Sequence, residues 1–207
     1  MIKIKGVNKE STVSTPSLEA HSAYALADNP ELWEPQRQNN FEFVVSDLDN
    51  LVRPGVDPES DNASFGNAQK LLRLSVMSSS VPHFTQNVIT LNRGNTSMKV
   101  AGRIEFPEGS LVIRDAIGAD TKSILMAWQM KAGDPQTGKV GLMSDYYKDA
   151  WLIEYTPDYQ VVRQWRLKGC WISGLTEDAY NMDNDGEKTV TATIQYNMGY
   201  IDNSDIL

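Results

Sequence analysis

QVVRQWRLKGCWISGL, residues 160–175, and EKTVTATIQYNMG, residues 187–199, decide how the rest of the chain is read. In the first, Val161, Trp165, Leu167 and Trp171 share one parity, and Gln164, Arg166 and Lys168 hold the other. In the second, Val190, Ala192, Ile194, Tyr196 and Met198 alternate with Thr189, Thr191, Thr193, Gln195 and Asn197. A period of two, with β-branched and aromatic residues on one face, marks a half-buried strand. Each run spans roughly 33 Å at ~3.3 Å per residue, longer than the usual strand of ~5–6 residues. Two long strands leave long edges of unpaired backbone, which a chain must blunt or share with a neighbour. Assembly is the first expectation.

Composition narrows the classes. A chain of 207 residues with 41% hydrophobic and 22% charged residues has the make-up of one globular domain. Net charge is −8, and after Gly174 seven acids, Glu177, Asp178, Asp183, Asp185, Glu187, Asp202 and Asp205, face Lys188 alone. That disfavours a phosphate-gripping nucleic-acid binder, which carries a basic stripe. The single Cys170 excludes an internal disulfide and suits a reducing compartment. No apolar run reaches the length of a membrane span, and MIKIKGVNKE lacks the apolar core of a signal peptide, so cytoplasmic synthesis is expected.

Outward from the two long stretches, residues 1–40 read as an N-terminal arm, 41–202 as the β domain and 203–207 as a tail. FEFVVSDL (41–48) is a strand candidate, and 50–68 a loop or insertion rich in proline, glycine and acids. KLLRLSVMSSSVP (70–82) fits a second strand through Leu72, Leu74 and Val76. Val88, Ile89 and Leu91, then Met98, Val100 and Ile104, flank the turn NRGN and predict an extended hairpin arm. LVIRD (111–115) is a further strand. One helix is expected from about Asp120 to Ala132, with Asp120 as N-cap, Gly133 past its end, and Ile124, Leu125 and Trp128 as its buried stripe. Trp128, Trp165, Leu167 and Trp171 are the expected core aromatics and aliphatics.

Catalytic and metal signatures fail on context. Gly133 to Lys139 satisfies GxxxxGK, but a helix precedes it and Val140 stands where a magnesium-binding hydroxyl belongs. Asn181, Asp183, Asp185 and Gly186 mimic half of a calcium loop whose twelfth position is Ala192. His21 and His83 lack ligands at metal spacing. No acid–base pair supports catalysis, so neither an enzyme nor a cofactor is expected.

Read in order, SMKVAGRIEF, LVIRD, a helix ending AWQ, YYKDAWLIEY, a strand closing on LKGCW, acidic turns and a last alternating strand resemble the tail tube proteins of contractile-tailed bacteriophages. The resemblance covers roughly 40–199, with VAG (100–102) and WRLKGCW carrying most of it. It implies a mainly β fold, a small barrel or sandwich with one flanking helix, related to the haemolysin-coregulated tube protein of type VI secretion. It also implies six copies in a ring, rings stacked into a tube with a sheath outside and a tape measure protein, then DNA, inside. A baseplate and a tail terminator would close the ends, and the protein would sit in the virion tail after assembly in the host cytoplasm. Shorter members begin near Phe41, and many carry proline where Ile172 follows Trp171. The inter-ring arm is expected at Val88, Ile89, Leu91 and Arg93, and the lumen wall at Thr189, Thr191, Thr193 and Gln195. Two rivals stay open: the inner tube of a bacterial injection machine, and a monomeric carbohydrate-binding β-sandwich.

Overall fold

The computed structural model describes residues 34–57, 59–61, 63–183 and 185–202. The expected arm through residue 33 and the tail at 203–207 lie outside them. The secondary structure of the described residues lies in one compact unit, Gln38–Leu207. Its elements are β1 (Phe41–Val45), α1 (Ala68–Ser75), β2 (Val76–Ser79), β3 (Thr85–Arg93), β4 (Thr96–Glu105), β5 (Gly109–Arg114), α2 (Thr121–Ala132), α3 (Met143–Tyr146), β6 (Lys148–Tyr155), β7 (Val161–Glu177), β8 (Thr189–Gln195) and β9 (Met198–Ile201).

The two long stretches are antiparallel partners. β7 runs for 17 residues. It pairs with β9 from Trp165↔Ile201 to Lys168↔Met198, and with β8 from Trp171↔Gln195 to Glu177↔Val190. Its first half pairs on the other edge with β6, and β6 pairs with β1. β8 continues outward to β5, and β5 to β2, giving the order β1-β6-β7-β8-β5-β2. β7 is thus shared by two antiparallel layers. Phe43, Val45, Ala150, Leu152 and Leu167 come from one layer, and Leu111, Ile113, Ile172, Val190, Ala192 and Ile194 from the other. All of them meet in one core with Ile124, Leu125 and Trp128 of α2.

Gly169 is the corner. It sits at φ +68° in a bulge, where Lys148↔Cys170 and Ala150↔Leu167 leave one extra residue on β7. One extra residue flips every later side chain to the opposite face. Leu167 is buried before the corner, and Cys170 and Ile172 after it. Trp171, expected in the core by unbroken alternation, is therefore turned out of it and meets Tyr146 edge to face at 5.8 Å. Trp165 only flanks the core, half-buried, with its indole N–H on Glu154 at 2.9 Å. The partner strand breaks at the same level. Val190, Ala192, Ile194 and Tyr196 are buried, but Met198 is exposed and Gly199 buried instead.

Two further expectations change. Residues 68–75 form a helix, and a strand begins only at Val76. Ala68 and Leu72, four apart, are buried, whereas Leu74 is exposed. The helical spacing of the inward pair outweighed the short Leu72–Leu74–Val76 alternation. The 50–68 segment also closes part of the core through Leu51, Ala63 and Phe65, pinned by Arg53, which donates to Asp120 Oδ2 at 2.8 Å and lies over the Phe65 ring. Asp120 precedes α2 as expected, but its carboxylate takes Arg53 and makes no side-chain cap bond to the helix.

Candidate assembly surfaces

β3 and β4 form a two-stranded sheet apart from the main one. Every residue of both strands is exposed except Gly102, which is half-buried. The loop is two residues, Gly94-Asn95, with Gly94 at φ +60°, as a tight hairpin with glycine first requires. Near the root the register slips between Gln86 and Val88, and a Cβ on Gly102 would stand 2.7 Å from the Asn87 carbonyl oxygen. Glycine at the end of VAG lets the bulged strand approach.

Register sorts the hairpin into two faces. Ile89↔Val100, Leu91↔Met98 and Arg93↔Thr96 share one, and Val88↔Ala101, Thr90↔Lys99 and Asn92↔Ser97 the other. Of the expected arm residues, Ile89, Leu91 and Arg93 lie together, and Val88 lies on the polar face. Ile89, Leu91, Met98 and Val100 make a contiguous exposed apolar ladder with a guanidinium at its tip. An isolated hairpin is marginal in water, and such a ladder marks an interaction surface.

The second surface is the polar face of β8. Thr189, Thr191, Thr193 and Gln195 are half-exposed, while their alternates are buried. Register sets Arg114, Val112 and Ser110 of β5 beside Thr189, Thr191 and Thr193, and Thr176 and Gly174 of β7 on the other side. The wall shows no unpaired cation among the described residues: Arg114 is paired to Glu187 at 2.8 Å, and Gln195 Nε2 donates to the Glu108 carboxylate at 3.0 Å. Thr189 donates to Asp178 through its hydroxyl at 2.6 Å and through its backbone N–H, and these bonds hold the Asp178 carboxyl below its ordinary range. Glu177 next to it is held low by Lys122 and Lys188.

The third consists of sheet edges. β1 and β2 end the strand order among the described residues. The free thiol of Cys170 is buried, and desolvation pushes it up to about 12, which removes it from nucleophilic chemistry. The GxxxxGK stretch is a turn in which Asp134 accepts from the Gln136 N–H and the Thr137 hydroxyl. Sequence reasoning missed Tyr180 and Met182, both almost fully exposed in the β7–β8 loop. Two large apolar residues among acids were the available signal.

No protein-family model matches the sequence, and no curated protein does. Solved structures share the fold. A chain of the anti-feeding prophage cap, a tube terminating cap, aligns with a TM-score of 0.57 at 14% identity, over 81% of this chain and 91% of its own. A chain from the extended sheath–tube complex of an extracellular contractile injection system, PVC, aligns with a TM-score of 0.57 at 13% identity, over 87% and 97%. A chain from the PVC sheath/tube terminator aligns at 0.56 with 15% identity, over 81% and 96%. The fold is that of chains in contractile tube assemblies: mainly β, antiparallel, with a flanking helix.

Proposed function

We propose that this chain is a tail tube subunit, a structural protein without catalysis that forms rings, and that the rings stack into a conduit for DNA delivery. The observation that carries the reading is the hairpin with an uncovered apolar ladder, projecting from a fold shared with tube assemblies. The β1 and β2 edges, which end the strand order among the described residues, suit lateral pairing into a closed ring, most simply of six copies, with interfaces in the obligate range of roughly 2,000–5,000 Å². In this reading a sheath surrounds the tube, a tape measure protein and then DNA occupy it, and a baseplate and terminator close its ends in the virion. A second reading is the inner tube or terminator of a protein-injecting particle, favoured by the contractile injection systems among the similar folds. Negative-stain microscopy of the concentrated protein tests both: annuli or tubes support an assembly protein, and single small particles at every concentration overturn it. Tubes favour the tube subunit, and rings that never stack favour the terminator.

A further inference from the structure

The hairpin root and the β7–β8 loop lie at opposite ends of the same strands. The root is fixed beside Tyr196, which receives the His83 N–H and packs on Phe106, and Gly109 pairs with Ile194 directly below. At the other end Arg114 pairs with Thr189 and binds Glu187, and Asp115 N–H donates to the Lys188 carbonyl. Register from Thr189 to Ile194 separates the two ends by roughly 17 Å at ~3.4 Å per residue.

The two ends are complementary. The hairpin ladder, Ile89, Leu91, Met98 and Val100, ends on Arg93, and Lys99 adds a second cation on the other face. Arg93 and Lys99 form no ion pair among the described residues, whereas Arg103 is held by Glu105 at 2.6 Å. The loop at the far end offers Met182 and the free face of Tyr180, whose other face lies under the Lys188 ammonium at 3.5 Å, beside Asp183 and Asp185, which also have no ion pair among the described residues. Apolar surface with a cation at one end and apolar surface with anions at the other describe a head-to-tail contact, which repeats without closing on itself.

The geometry points to the β7–β8 loop of a second copy as the seat of the hairpin, with Ile89, Leu91 and Met98 on Tyr180 and Met182, and Arg93 against Asp183 and Asp185. This rests on the tube reading and names which surface of the next copy the arm meets. Arg93→Glu alone and Asp183→Arg with Asp185→Arg alone should each raise the concentration needed for stacking by about tenfold or more. The triple variant should restore stacking, and thermal melts should show all three folded like the parent. The parent's stacking should also weaken with added salt. Reversals that stack like the parent, or a triple variant that does not recover, overturn the assignment and leave the tube reading standing if the parent still forms tubes. A parent that never stacks overturns both.

Discussion

Gly169 shows how one residue turns two long strands. At φ +68° an L side chain is strained, and a Cβ there would stand 2.7 Å from Asn197 Nδ2. Gly169→Ala should cost about 1–3 kcal/mol in urea unfolding, the usual range for a side chain held in a sparsely populated backbone region. Asn197→Ala in that background should recover the contact and leave the backbone strain. Trp128 is fully buried and donates its indole N–H to the Tyr146 carbonyl at 2.9 Å. Trp128→Ala should cost roughly 3–5 kcal/mol by removing a core aromatic, and Trp128→Phe about 1 kcal/mol for the lost bond together with some packing. Cys170 sets an alkaline limit. Its thiol is raised from 9.0 to about 12 by burial, so the folded state holds the proton that the unfolded state releases. Its contribution to stability is complete below about pH 9 and is lost as pH rises towards 12. Native protein should resist iodoacetamide at pH 8 and react only after unfolding; rapid native labelling would contradict the burial.

At the scale of elements, α1 and the β3–β4 hairpin mark where period and context part. Residues 68–76 carry both a strand-like Leu72–Leu74–Val76 and a helix-like Ala68–Leu72, and only the position of the core chooses between them. The hairpin was legible because its turn chemistry and alternation agree, and its two-face register follows from the position of the turn. Its bulge at Gln86–Val88 was not, since no residue type announces it. Replacing residues 87–103 by a short glycine linker should leave a folded subunit whose melting temperature falls by no more than about 2 °C, because the excised strands are almost wholly exposed. Size-exclusion chromatography should then show no species above a single ring. Large loss of stability would mean that the hairpin supports the body. The β7–β8 connection has an acid limit of its own. Glu177 and Asp178 are held low by Lys122 and Lys188 and by Thr189, so their contribution is present above the ordinary carboxylate range and is lost as pH falls from that range through their lowered folded values. Amide protection factors at Thr189 and Val190, corrected for the slower intrinsic exchange at low pH, should fall first on acidification.

At the scale of the molecule, the proposed tube requires one sheet face to line its lumen. The β8 wall offers hydroxyls and an amide, its one arginine is neutralised by Glu187, and acids flank both ends. Polyanions bind where lysines and arginines displace counterions, and this wall provides no such row. If it lines the lumen, Thr193→Lys should leave assembly unchanged and slow DNA passage, most at low salt, where screening is weakest. A reconstruction with Thr191 and Thr193 on the outer wall would contradict it. The sequence by itself determined the β class, the two long strands and the exposed hairpin, because period-two alternation and turn chemistry are local properties. It also determined the inward set Val190, Ala192 and Ile194, since β8 is regular from end to end. Only the tertiary structure decided that Trp171 leaves the core, that residues 68–75 form a helix, and that the hairpin root and the acidic loop stand at opposite ends of the same strands. Each depends on a bulge, a packing partner or a strand register, and these are set by contacts between segments far apart in the chain.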